Sequence, residues 1–195
     1  METLRLVGPR LTLREYRHTP EEVAALHAVH GDPGTVRHLP FGVRDFEECA
    51  DQVELYLEAA EEDPRTHYRL AVDDPAGDPI GQAALTREGG HAAWLGCVLR
   101  RDTWGRGHAA EVTALLCGFG FGTLGLHRLA ARCDPANTAS VRVLTRAGFR
   151  YEGRIRAESH RDGAWHDALQ YSLLAPEWTG PPWAGESRLQ GGTGG

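Results

Sequence analysis

The sequence predicts one α/β (α+β) domain built on a single mixed sheet. Three observations carry that prediction. The chain has 195 residues, and at roughly 100–200 residues per domain that length fits one domain and hardly two. Apolar residues recur at both strand and helix periods, giving about seven strands and about four helices along one chain. From residue 92 to residue 157 the order is β–α–β–α, and two strands joined through a helix need a parallel crossover.

The elements follow in order. Arg10-Leu11-Thr12-Leu13-Arg14-Glu15-Tyr16 alternates and reads as the first strand. Thr19-Pro20-Glu21-Glu22 opens a helix, with threonine as N-cap and proline in the first turn. Val23, Ala25, Leu26 and Val29 give it an apolar face, and Gly31-Asp32-Pro33-Gly34 stops it. A second helix runs from about Asp45 to Glu62, with Cys49, Val53, Tyr56 and Leu57 at helical spacing. Its acids, from Glu47-Glu48 to Glu61-Glu62-Asp63, read as the outer face. Strands follow near 67–72, 79–85 and 92–99. A buried helix begins after Gly107, carrying Val112, Leu115, Leu116 and Phe119 at i, i+3, i+4 and i+7. A strand at 128–133, a helix at 137–147, and strands near 149–157 and 164–174 close the domain. Residues 179–195 hold six glycines and two prolines. They read as a loose tail behind a domain of residues 1–178.

Composition excludes several function classes. The 21 bases face 27 acids for a net charge of −6, and every base is arginine. Without lysine there is no P-loop, no Schiff base to pyridoxal phosphate and no lysine general base. The acidic balance argues against general nucleic-acid binding. Ala109 to Leu126 is the longest apolar run, but Glu111 and four glycines interrupt it. A membrane span needs about 20 more uniformly apolar residues, so a core helix is the better reading. Cys49, Cys97, Cys117 and Cys133 form no C-x-x-C pair. They read as reduced thiols of a cytoplasmic protein rather than zinc ligands. His27 and His30 stand at i, i+3 without a third ligand. They read as a solvated helix face, and no metal is expected. Residues 98–161 sum to +6 and the remainder to −12. Arginines scattered over solvated faces would give this asymmetry; so would a polyanion held by the C-terminal half and a cation by the rest.

One stretch carries chemistry. Trp104-Gly105-Arg106-Gly107-His108-Ala109-Ala110-Glu111 follows a strand and opens a helix. Its glycines let backbone approach a ligand, and a helix N-terminus offers unpaired N–H groups to an anion. It is not the dinucleotide fingerprint, because Ala110 takes the third glycine position and no acid follows a second strand.

Two further stretches give it context: Asn137-Thr138-Ala139-Ser140, and Leu144-Thr145-Arg146-Ala147-Gly148-Phe149. In this order and spacing the sequence resembles the GNAT N-acetyltransferase family, in its RimJ/RimL-like branch. The resemblance covers about residues 8–178, from Arg10-Leu11-Thr12-Leu13-Arg14 to Tyr171-Ser172-Leu173-Leu174 and Glu177-Trp178. It implies a GNAT-like mixed, mostly antiparallel sheet splayed between its fourth and fifth strands. It implies acetyl-CoA as acyl donor, its pyrophosphate on the backbone of Trp104, Gly105, Arg106, Gly107, His108 and Ala109. The pantetheine would pair with Cys97, Val98 and Leu99 and meet Asn137. A backbone N–H at a bulge near Cys97–Leu99 would stabilise the oxyanion.

The sequence departs from the family at three places. Asp102 stands where a glutamine or arginine helps the phosphates. Leu144 stands where many members carry a tyrosine that protonates the leaving thiolate. Ser140, one turn earlier, is the partner of the CoA sulfur that the RimL-like pattern implies; a serine bonding backbone in a first turn is the plainer alternative. Trp94 stands where relatives carry a glutamate base, which leaves His38 as the replacement, His91 and His160 as poorer ones, or water alone. An α-amine titrates near 8, so about a tenth is neutral at pH 7. The function implied is acetyl transfer to a cationic primary amine, either a protein N-terminal α-amine or a small molecule. A homodimer is one assembly open to it. The alternative is a catalytically degenerate GNAT domain that senses acyl-CoA.

Overall fold

Eight strands and five α-helices form within residues 3–161 and 163–181, which the computed structural model describes. They are β1 (Arg5–Val7), β2 (Thr12–Glu15), α1 (Pro20–His30), α2 (Pro33–Val36), α3 (Phe46–Glu61), β3 (His67–Asp73), β4 (Pro79–Glu88), β5 (Ala92–Leu99), α4 (His108–Gly118), β6 (Arg128–Cys133), α5 (Thr138–Arg146), β7 (Arg150–Arg161) and β8 (Ala164–Leu174). The tail expected at 179–195 lies outside the described residues from Pro182 onward, as does Asp162. No described helix is long and apolar enough to cross a membrane.

Two elements are additional to the expected set. β1 has three residues, too few to register as an alternation, and pairs antiparallel with β2 at the sheet edge. α2 arises inside the segment expected only to stop α1. The Asp32 carboxylate accepts from Gly34 N at 2.6 Å and Thr35 N at 3.1 Å, and Pro33 occupies the first helical position. Asx-Pro there is a start signal as much as a stop. α3 opens on a reciprocal box, Asp45 accepting from Glu48 N and Glu48 from Asp45 N, both at 2.9 Å.

The sheet runs β1-β2-β3-β4-β5-β6-β8-β7, and only β5–β6 is parallel. Helix α4 lies against one face, where Val112, Leu115 and Leu116 pack with Leu70, Leu85 and Leu129. α1 and α3 cover the N-terminal half of the other face, where Leu26, Cys49 and Val53 meet Ala71 and Tyr16. Strand β3 is therefore buried on both sides, Leu70 and Val72 toward α4 and Ala71 toward α3. After α4 the chain makes a π-helical turn, Phe119–Thr123. A Cβ on Gly120 would lie 3.0 Å from the Leu129 side chain, so glycine is what brings this turn onto β6.

Candidate active site

The site begins where two parallel strands part. β5 pairs with β6 through Ala92↔Arg128, Ala93↔Leu129 and Trp94↔Ala130, and the ladder ends there. On its other side β5 stays paired with β4 without a break, from Glu88↔Ala92 to Gly81↔Leu99. Beyond Trp94 the β6-facing backbone of β5 thus has no strand partner, and N–H and C=O groups line an opening wedge. This is the splay expected between the fourth and fifth strands, which are β5 and β6. The unbroken β4–β5 register corrects one expectation: β5 has no bulge near Cys97–Leu99. The free edge needs none, because a parting partner strand already leaves amides unpaired.

One wall of the wedge is the loop from β5 to α4. Arg101–Thr103 form a 3-10 turn, and Trp104 Nε1 donates to Leu99 O at 2.8 Å, fixing the indole over the strand end. Gly105 and Gly107 have φ of +77° and +79°, a region that costs a side chain strain. Gly107 is the N-cap of α4 and no side chain caps this helix, so its first N–H groups face outward from a positive helix end. A Cβ at Gly105 would meet nothing within 4 Å. The buried Nδ1 of His108 has no hydrogen-bond partner among the described residues. Burial first, and then Arg10, hold the His108 imidazole below its ordinary pKa. Asp102, which cannot aid an anion, is paired by Arg100 through Nε at 2.7 Å and Nη2 at 3.1 Å. A glycine loop leading into an uncapped helix end, with the adjacent acid paired, suits a phosphate group.

The facing wall is the start of α5. Asn137 Oδ1 accepts Ser140 N at 3.1 Å and so caps the helix, while its amide nitrogen has no partner among the described residues. Ser140 is half-buried, and its hydroxyl makes no hydrogen bond among the described residues. The plainer alternative, a serine hydroxyl bonding the first turn, is not what forms. Leu144 is turned into the main core.

The open end of the wedge gathers groups that the sequence holds far apart. His38 follows α2, and its Nδ1 lies 3.6 Å from Oδ2 of Asp134, the residue after β6. Asp134 also accepts Ala136 N at 2.8 Å and pairs with Arg161. Burial raises the Asp134 carboxyl, but the Ala136 N–H and Arg161 outweigh it and hold the group below the usual range. Arg161 also donates to Leu39 O at 2.7 Å, tying the His38 loop to the β7–β8 hairpin. Trp94 lies on the uncovered sheet face, its Nε1 donating to Glu88 at 2.9 Å and its ring under the Arg132 guanidinium at 4.2 Å. β7 bulges between Ile155 and Ser159, with Ala157 at φ +52°, and this turns Glu158 onto Arg132. His91 sits at the closed end, its carbonyl accepting from His127 N and Arg128 N. His160 meets Trp165 edge to face, with ring centroids 5.1 Å apart. Of the three histidines, only His38 reaches the mouth beside β6.

His30 departs from the solvated face expected of it. It is 1% exposed, with Nε2 3.1 Å from Gln82 Oε1 and its ring 5.0 Å from Phe41. Sequence reasoning missed Arg10, Asp134 and Arg161. Glu111, an acid interrupting the longest apolar run, was the one visible sign that a cation had to meet that helix.

Comparison with known proteins bears on the family and the fold. Residues 10–150 match the family model described as an acetyltransferase (GNAT) domain. An uncharacterized N-acetyltransferase of Bacillus licheniformis, p20, is 30% identical over 185 residues, spanning 92% of this chain and 100% of its own. The fold is similar to that of Mycobacterium smegmatis RimJ in complex with CoA-disulfide, with TM-score 0.77, 25% identity, and 93% and 90% of the two chains covered. It is likewise similar to that of Vibrio cholerae spermidine N-acetyltransferase in complex with CoA and spermine, with TM-score 0.75, 20% identity, and 87% and 98% covered. With a family model matched over most of its length and a splayed sheet beside an uncapped helix, the chain belongs to the GNAT acetyltransferase family.

Proposed function

We propose that the protein is an acetyl-CoA-dependent N-acetyltransferase of the RimJ/RimL-like branch, moving an acetyl group to a primary amine by direct attack in a ternary complex. The observation that carries this reading is the β5–β6 ladder ending at Trp94↔Ala130, with an uncapped α4 at one wall and His38 beside Asp134 at its mouth. Trp104, Gly105, Arg106, Gly107, His108 and Ala109 take the pyrophosphate on backbone N–H groups. Cys97, Val98 and Leu99 pair with the pantetheine arm along the free edge of β5, and Asn137 donates its unpaired amide to it. A β5 amide beyond Trp94 stabilises the oxyanion as the tetrahedral intermediate forms.

On the acceptor side, His38 accepts the proton of the attacking amine, and Ser140 protonates the departing sulfur. A cationic acceptor gains from the exposed acids of α3. Two acceptor classes fit, a protein N-terminal α-amine and a small-molecule amine such as the polyamine of the Vibrio cholerae structure. The four free cysteines support a cytoplasmic setting.

Release of CoA thiol from acetyl-CoA is the test, measured across a panel of peptide N-termini, polyamines and other primary amines. Amine-dependent release is expected for at least one class. Tight CoA binding with no release for any amine would favour the sensing alternative, for which Trp94 and Leu144 at the family's glutamate and tyrosine positions are the supporting features.

A further inference from the structure

We infer that Arg10 is the positioning residue of the donor-phosphate loop: it holds the backbone of Arg106–Gly107 in its anion-accepting conformation from across the sheet. The inference rests on the reading above that Trp104–Ala109 is the pyrophosphate seat.

The argument starts from a buried charge. Glu111 lies in the first turns of α4 with a side chain only 4% exposed. A carboxylate in that position is costly unless its oxygens are satisfied. They are satisfied wholly from the chain segment before β2. Oε1 accepts Arg10 N at 2.8 Å and Leu11 N at 2.9 Å, and Oε2 accepts Arg10 Nε at 2.8 Å. The segment wraps closely enough that a Cβ on Gly8 would lie 2.7 Å from Oε1.

The same guanidinium then reaches the loop. Arg10 Nη1 donates to the carbonyl of Arg106 at 2.8 Å. In a planar trans peptide that carbonyl and the N–H of Gly107 point to opposite sides. Anchoring the Arg106 carbonyl on Arg10 therefore turns the Gly107 N–H away from Arg10, and it withdraws a partial negative charge from the anion's side. Arg10 Nη2 faces Gly107 itself, 3.5 Å from where a Cβ would stand. One arginine thus joins the β1–β2 turn, the helix and the glycine loop, and places a fixed cation beside the seat. Lysine lacks the planar fork by which Nε and Nη1 make the two contacts at once.

A plain fold staple would affect every donor equally; a loop-positioning residue affects only donors with the pyrophosphate. The test compares acetyl-CoA with S-acetylpantetheine, which lacks the nucleotide, in wild type, Arg10→Met and Arg10→Gln, with thermal melting alongside. The glutamine retains a donor for Glu111 and guards against simple unfolding of the methionine variant. The KM for acetyl-CoA is expected to rise about 10- to 100-fold, the range for loss of a charge-assisted contact. Under the same conditions kcat/KM for S-acetylpantetheine should stay within about twofold of wild type. Equal losses for both donors, or an unchanged KM for acetyl-CoA, overturn the inference. Gly107→Glu, run in parallel, separates the two layers. If it abolishes acetyl-CoA binding while the Arg10 variants are silent, only the role of Arg10 fails. If Gly107→Glu binds normally, the reading of the seat fails with it.

Discussion

The side-chain oxygen of Asn137 accepts the backbone N–H of Ser140 at 3.1 Å, so the asparagine caps α5 and leaves the serine hydroxyl unbonded. Cap and hydroxyl are therefore separable by mutation. Ser140→Ala removes no protein hydrogen bond and is expected to melt like wild type. If Ser140 protonates the thiolate, turnover should fall about 10–100-fold, at the modest end of general-acid effects, with acetyl-CoA affinity retained. An equal loss in affinity would make it a binding residue instead.

Asn137 allows a cleaner division. Asn137→Ala loses the cap, a cost of about 1 kcal/mol, together with the free amide. Asn137→Asp keeps an oxygen for the Ser140 N–H and adds a negative charge that a helix N-terminus favours, but it has no amide to donate. We expect Asn137→Asp to keep its stability and still bind CoA more weakly, by calorimetry. Unchanged binding in both variants would remove Asn137 from the donor site.

At the loop, Gly107→Glu should abolish acetyl-CoA affinity. The position has φ +79°, and the new carboxylate would stand at the helix end that is read as the phosphate seat. A folded variant with normal CoA binding would remove the central claim about this wall.

Much of this architecture was legible in the sequence because it is local. The Asp45–Glu48 box, the i, i+3, i+4, i+7 face of α4 and the glycines after β5 each announce themselves within a few residues. The helix that starts after Asn137 was legible as well. What was not legible is long-range or too short to be periodic. β1 has three residues, and α2 hides in a segment that also stops α1. Arg10 meets a helix about a hundred residues away, and Arg161 meets Leu39 across a similar span. No spacing rule links such pairs, since only the assembled sheet brings them together. His30 was misread for a related reason. Helical spacing put it beside His27, but the register of α1 against β4 turns its ring onto Gln82.

That burial has a consequence for stability. Burial, with a smaller contribution from Arg44, lowers the His30 pKa from 6.5 to about 4. In the folded protein the ring stays neutral between those values, while in the unfolded chain it gains a proton. The unfolded state then binds more protons, so stability is fully present above about pH 6.5 and is lost as pH falls toward 4. Between about pH 7.5 and about pH 5 the loss should be about 2 kcal/mol. Urea unfolding at the two pH values measures it. His30→Gln, which cannot titrate, should show a correspondingly smaller difference, and an identical difference in both proteins would mean that His30 is not the group responsible.

The last prediction concerns the proton of the attacking amine. Trp94, at the position to which the family resemblance assigns glutamate, is a donor only, and its indole N–H is given to Glu88 at 2.9 Å. His38 stands at the mouth of the splay, 3.6 Å from Asp134, in a loop that Arg161 holds through Leu39 O. An imidazole within reach of an attacking amine is a candidate base, and the nearby carboxylate can orient it. If His38 is the base, kcat/KM should rise with pH through an ionisation belonging to the enzyme, identical for two amines of different pKa. His38→Gln should erase that limb and leave only the ionisation of each amine. Arg161→Met frees the loop and also removes the cation paired with Asp134; it should keep a limb common to both amines but lower its plateau, because the base is then held less firmly over the cleft. If water carries the proton from an amine that arrives neutral, the profile instead moves with the amine, and His38→Gln retains near-normal rates. A limb that is the same for both amines and persists in His38→Gln would exclude both versions and turn attention to Glu158, which the β7 bulge places against Arg132 on the same face.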